Sequence, residues 1–132
     1  MIRFTLLRDQ AMKKRLNREQ QLNCDVEAAW HFISSHKNLS KIAPKDMDFT
    51  VLSDYNGEQI AEGMVIDYIV SPLRKVPLKW RTRIIYVEPN NSFTDFHEKG
   101  PYKYWSHFHE FILNKDGMLM KDTVDYELSF GF

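Results

Sequence analysis

In the run FTDFHEKGPYKYWSHFHEF, Phe93 to Phe111, the residues Trp105, His107, His109 and Phe111 fall at alternate positions. On a strand that spacing puts them on one face, because side chains alternate with period two. His-x-His on a strand aims two imidazoles the same way, and such a pair suits a metal ion if a third ligand comes from His97, Asp95 or Asp122. The same groups suit proton transfer, with a carboxylate orienting an imidazole. They equally suit buried polar groups that only satisfy one another. No HExxH-type spacing and no thiolate accompanies the pair, so the expectation is no metal and no cofactor.

Asp95 shares a face with Phe93 and His97. It joins Trp105 and His107 only if the loop at Lys99-Gly100-Pro101 has an odd number of residues; a two-residue Gly-Pro loop sets it beside Ser106 instead. Asp122 lies between Met120 and Val124 on an apolar strand face. An unpaired buried carboxylate costs several kcal/mol, so Asp122 requires a partner, and a histidine or arginine from a neighbouring strand is expected. Tyr68, Trp80 and Tyr126 are expected on the same wall. The candidate ligand-binding set is therefore Tyr68, Trp80, Asp95, His97, Trp105, His107, His109, Asp122 and Tyr126. Cys24 reads as a buried structural thiol, and His36, in a Ser-Ser-His-Lys-Asn loop, as a surface residue.

These side chains need strands to hold them. Gly-Pro breaks the run above into a hairpin. Met64, Ile66, Tyr68 and Val70 alternate with Asp67, and Trp80, Thr82, Ile84 and Tyr86 alternate with Lys79, Arg81 and Arg83. Turns are marked by Asn56-Gly57, Pro89-Asn90-Asn91 and Asp116-Gly117. In the last strand Met118, Met120, Asp122, Val124, Tyr126 and Leu128 oppose Lys121, Thr123, Asp125, Glu127 and Ser129, the latter a solvent face. Phe49 and Val51 belong to a further strand, and Leu16 to Leu22 to the first. Between them, Asn23 is expected to cap a helix from Asp25 to about Ser35 with an apolar stripe of Val26, Ala29, Trp30 and Ile33. Asn38 is expected to cap a second short helix that Pro44 stops. Short helices followed by hairpin-linked strands make an α+β domain with an antiparallel sheet.

Composition narrows the partners. The chain has 132 residues, the size of one domain. Lys+Arg and Asp+Glu balance at 18 each, without the basic excess that nucleic acid or an anionic membrane calls for. The single cysteine allows no intrachain disulfide and fits a reducing cytoplasm. No apolar run is long enough for a membrane span. Aromatic residues make up 14% of the chain, enough to furnish a core or line a cavity.

The runs LKWRTRI, FTDFHEKGPYKYWSHFHEF and MKDTVDYELSFG, with WHFISSHKNLSKIAP before them, resemble the ligand-binding SRPBCC proteins. These belong to the START-related superfamily, which also holds the polyketide cyclase/dehydrase-like proteins and the birch-pollen-allergen fold. The resemblance covers about Leu16 to Phe132. It implies a helix-grip fold: a curved antiparallel sheet, two short helices plugging one end, and an apolar cavity under a long C-terminal helix. The family treats Asp95 and the W-x-H-x-H residues as one inner set, which favours the odd loop. The sequence departs from the family in lacking the long C-terminal helix and in carrying residues 1–15 as an N-terminal extension. On this reading 16–132 is a C-terminally incomplete domain. Its inner face, with Trp80, Ile84, Trp105, Phe111, Val124, Tyr126 and Leu128, would stand open to water unless a missing segment, a second protomer in a homodimer or an N-terminal segment within Met1 to Arg15 covers it. The function implied is binding of a small, largely apolar ligand between sheet and helices. A polyketide cyclase/dehydratase-like enzyme using His/Asp proton transfer is the alternative. A protein-interaction module using the sheet face is the second alternative.

Overall fold

The structure, a computed structural model, describes residues 13–35, 38, 50–53, 59–71 and 76–128. The elements run β1 (Lys14–Leu22), α1 (Val26–Ile33), β2 (Thr50–Val51), β3 (Val65–Val70), β4 (Leu78–Glu88), β5 (Ser92–Lys99), β6 (Tyr102–Asn114) and β7 (Gly117–Leu128). The strands form one seven-stranded antiparallel sheet in the order β1-β7-β6-β5-β4-β3-β2. Four consecutive hairpins build its centre. The first strand returns to pair along β7 at one edge, Leu16 opposite Val124 and Arg18 opposite Asp122.

Alternation decides the inner face. Ile66, Tyr68, Val70, Trp80, Thr82, Ile84, Phe93, Phe111, Met118, Met120 and Val124 are all buried there. Each large apolar side chain removed from water stabilises by roughly 1.5–3 kcal/mol. The expectation that this face stands open to water is corrected in part: Trp80, Ile84, Phe111 and Val124 are buried within this chain, while Trp105 and Tyr126 are half-buried and Leu128 is exposed. Helix α1 covers one end of the face. Ala29, Trp30 and Ile33 are its buried stripe, as the spacing predicts. The Trp30 ring meets Phe93 and Phe111 edge-on, at centroid distances of 5.8 and 5.3 Å.

The two-helix expectation is corrected as well. One α-helix is present among the described residues, and no long helix follows β7 among them. Asn38, the expected cap of a second helix, bonds back to the end of the first. Its backbone N–H donates to the Ser35 carbonyl (3.0 Å) and its side-chain amide to that of Phe32 (2.9 Å). The rest of the stretch expected as a second helix, the Asn56-Gly57 turn, His36, Phe49 and most of the proposed extension 1–15 lie outside the described residues. The cap of α1 is Asp25, not Asn23. Asp25 has extended backbone angles and its carboxylate accepts from Ala28 N–H at 2.7 Å. Asp25→Ala is expected to cost about 1 kcal/mol, because one amide of the first turn loses its acceptor; urea denaturation of the two proteins checks it. Cys24, just outside that cap, is an exposed free thiol rather than a buried one.

Bulges account for two further departures. Between Ile84 and Tyr86 the β4–β5 register shifts, so Tyr86 leaves the inner face and is 66% exposed. Between Tyr102 and Tyr104 the β6–β7 register shifts, and Lys103 reaches Glu127 at 3.4 Å. Glu127, expected in solvent, is 5% exposed there. The β6–β7 turn falls on Lys115-Asp116, with Gly117 opening the strand at φ +127°. A Cβ at that glycine would sit 2.3 Å from the Leu22 carbonyl oxygen, so the turn and the end of β1 pack closely only with glycine there.

Candidate functional site

The β5–β6 hairpin places Phe93 opposite His109 and Asp95 opposite His107. The loop joining the strands is therefore the odd one, and Asp95 stands on the inner face with both histidines. On the other side, β7 sets Asp122 opposite His109 and Val124 opposite His107. Two carboxylates and two imidazoles thus occupy adjacent rows across three central strands. Each carboxylate has one histidine directly across and the other on the diagonal.

The diagonal contacts are the shorter ones. His109 Nε2 lies 2.6 Å from Asp95 Oδ2, and His107 Nε2 lies 2.9 Å from Asp122 Oδ1. The direct ones measure 3.2 Å, from His109 Nδ1 to Asp122 Oδ1, and 3.8 Å, from His107 Nδ1 to Asp95 Oδ2. The two imidazoles stack at 3.7 Å with planes 22° apart. Phe93 stacks on the far side of His109 at 4.1 Å. His109 is thus clamped between two rings and two carboxylates, and is 3% exposed; the His107 side chain, at the open end of the stack, is 21% exposed. From β1, Arg18 brings its guanidinium to 3.9 Å from Asp122 Oδ2.

This geometry sets the charges. Burial alone pushes the His109 imidazole down, but hydrogen bonds to Asp122 and Asp95 outweigh it and raise its pKa to about 9. At neutral pH His109 is an imidazolium that donates from both nitrogens. Burial pushes the Asp122 carboxyl up, and the hydrogen bonds from His107 and His109 reverse that, holding it well below the usual carboxylate range. Asp95 follows the same logic: burial raises it, the charge of His107 and the hydrogen bond from His109 lower it further, and it stays ionised. An ionised carboxylate only accepts, so His107 carries its hydrogen on Nε2 toward Asp122.

His97 does not join this cluster. It pairs across to Thr82, is buried, and packs against the edge of Trp80 at 4.6 Å. Its Nε2 has no hydrogen-bond partner, and burial keeps its imidazole below the ordinary value and neutral. Gly100 closes over it: a Cβ there would lie 2.2 Å from that nitrogen. Trp80 continues into an aromatic group. Trp105 stands 5.4 Å from it, Tyr102 4.8 Å from Trp105, and Tyr126 6.0 Å from Trp105. Trp105, Tyr102 and Tyr126 are only partly buried, so this wall is half open. Tyr68 is buried in the core, directly across from Trp80. Of the sequence-predicted residues, then, Asp95, His107, His109 and Asp122 form one polar cluster, while Trp80, His97, Trp105 and Tyr126 form an adjoining aromatic one. Sequence reasoning missed Tyr102, which follows the Gly-Pro break directly, and the stacking role of Phe93. It missed Arg18 as well, because β1 is polar and exposed along nearly its whole length and shows no inner face.

No protein-family model matches the chain, and no curated protein matches it. Solved structures do. Norcoclaurine synthase from Thalictrum flavum, a point mutant in complex with a transition-state analogue, superposes with a TM-score of 0.64 at 16% identity, over 89% of this chain and 77% of that one. A START superfamily protein from Mycobacterium smegmatis gives 0.66 at 13% identity, over 89% and 79%. Ginseng major latex-like protein 151 from Panax ginseng gives 0.64 at 14% identity, over 89% and 80%. These similarities show the fold alone: the chain shares the antiparallel-sheet α+β fold of these three structures.

Proposed function

We propose, from that fold and this face, that the protein binds a small, largely apolar ligand against the inner wall of the sheet. The observation that carries the reading is the half-open aromatic group Trp80, Tyr102, Trp105 and Tyr126 beside the polar cluster. Binding sites are mostly apolar, with a few placed polar groups that fix orientation. The aromatic rings supply the contact area here, and His107, the accessible member of the cluster, supplies the orienting group. The charge balance and the absence, among the described residues, of a helix long and apolar enough to cross a membrane agree with a small-molecule partner.

The test is native mass spectrometry of freshly purified protein, followed by titration with a fluorescent apolar dye. An apolar adduct, or dye binding weakened at least several-fold in Trp105→Ala, is expected. Neither adduct nor dye binding in a folded protein overturns the reading.

One observation favours a second reading, a cyclase/dehydratase-like enzyme. His107 is the partly open imidazole of a network with two carboxylates, and a base of that kind relays protons.

A further inference from the structure

The two histidines are oriented by one carboxylate and aimed at another. Asp122 Oδ1 takes both the His107 Nε2 (2.9 Å) and the His109 Nδ1 (3.2 Å). Each ring therefore turns its remaining nitrogen the other way, toward Asp95 Oδ2: His109 Nε2 at 2.6 Å and His107 Nδ1 at 3.8 Å. One donor atom from each of Asp95, His107 and His109 lies within 4.8 Å of the other two. Metal sites are built in this way: ligating imidazoles donate their second N–H to a buried carboxylate, which fixes tautomer and direction.

We propose that Asp95, His107 and His109 bind a divalent first-row transition-metal ion, with Asp122 as the carboxylate that orients both imidazoles. This inference stands apart from the apolar-ligand reading and reverses the expectation drawn from the sequence, where His-x-His appears without HExxH-type spacing or a thiolate and with its third ligand open among three residues. Two nitrogens and one carboxylate oxygen suit zinc or ferrous iron, and a three-ligand set leaves a coordination position free. The incoming ion displaces the proton on His109 Nε2, which leaves to solvent; two carboxylates and two neutral imidazoles then sum to two negative charges, which a divalent ion neutralises.

Ligands of a tetrahedral zinc ion lie roughly 3.3 Å apart, since each is about 2.0–2.2 Å from the metal. The Asp95–His109 contact is shorter than that and the Asp95–His107 contact longer, so filling the site widens one and closes the other. The rings are stacked with planes 22° apart and must splay to give both lone pairs to one ion. His109 is held by Phe93, so His107, the more exposed ring, is the one that swings, pivoting on Asp122. The same exposed edge gives the ion its way in.

The experiment is calorimetric titration of EDTA-treated, dialysed protein with zinc sulfate, repeated with cobalt(II) while its visible absorption is recorded. Expected are one ion per chain, a rise in Tm on loading, and cobalt bands of a low-coordinate site. His107→Ala should abolish this binding. Asp95→Asn, which keeps the side-chain shape, is the second variant and should do the same. Asp122→Asn retains all three ligands and should weaken affinity roughly 10–100-fold. Cys24, His31 and His97 are untouched in every variant, so adventitious capture at those residues would persist. Absence of stoichiometric binding to the wild-type protein, or binding undiminished in folded His107→Ala and Asp95→Asn, overturns the proposal.

Discussion

Asp122→Ala is expected to destabilise the metal-free protein by about 3–5 kcal/mol, against no more than about 1 kcal/mol for Asp125→Ala. The two aspartates are three residues apart on one strand and on opposite faces. Asp125 makes a two-point pair with Arg15, at 2.6 and 3.1 Å, but both side chains stand in water. Such pairs gain little because solvent competes for both ends. Asp122 is buried, and its removal strands two imidazoles at once. His109 would then hold a buried positive charge with Asp95 alone to balance it. Denaturant midpoints of the two variants, measured side by side in EDTA, decide the matter; equal midpoints would reject the assignment of faces and the network with it.

In the metal-free protein, stability is expected to fall as the pH rises from about 6.5 to 9. The folded pKa of His109, about 9, lies above its unfolded value of 6.5. Its contribution is therefore complete below the lower figure and is lost as the pH climbs through the higher one. The groups facing it are Asp95 on β5, Asp122 on β7 and His107 beside it on β6, with Arg18 on β1 reaching Asp122. The aspartates act in the opposite window: their folded pKa values are depressed from 3.8, so their contribution is present above that pH and disappears as the pH drops. His97, buried and neutral, works against the histidine trend, since its folded pKa is lowered and acidification forces a proton onto it. The descending alkaline arm thus isolates His109. Its slope is at most about 1.4 kcal/mol per pH unit, the value for one proton. Thermal melts from pH 6.5 to 9.5 should show it, and His109→Gln should flatten it while His97→Gln leaves it in place. A wild-type arm already flat would mean that the imidazolium is not held as described.

Much of this site is legible in the sequence because strands report faces through alternation. The inner positions of β3 and β7, the apolar stripe of α1 and the shared face of Trp105, His107 and His109 all follow from spacing alone. So does the requirement that Asp122 have a histidine or arginine partner. What alternation cannot report is anything that interrupts it or runs across it. The bulge that turns Tyr86 outward lies in hydrogen-bond register, not in residue type. The diagonal preference of His109 for Asp95 depends on strand twist and ring orientation. The bond from the Asn38 side-chain amide back to Phe32 is one of several local bonds that asparagine offers equally to the backbone around it. Glu127 reads as a solvent residue until a neighbouring lysine is displaced toward it.

The three-residue step from β5 to β6 also bears on how this chain can diverge. Surface loops ordinarily gain and lose residues freely. This one connects strands whose pairing, Asp95 to His107 and Phe93 to His109, keeps four side chains of the candidate site on one side of the sheet. Inserting or deleting a single residue there, with both strands otherwise kept, would rotate β6 half a turn about its own axis, burying Tyr104, Ser106 and Phe108 and turning both histidines out to solvent. Changes by two residues preserve the site, and so does one residue taken up by a compensating bulge. Length variation at Gly100-Pro101 among descendants of this sequence is therefore constrained to even steps, or to odd ones that a bulge absorbs, although the loop itself lies at the surface.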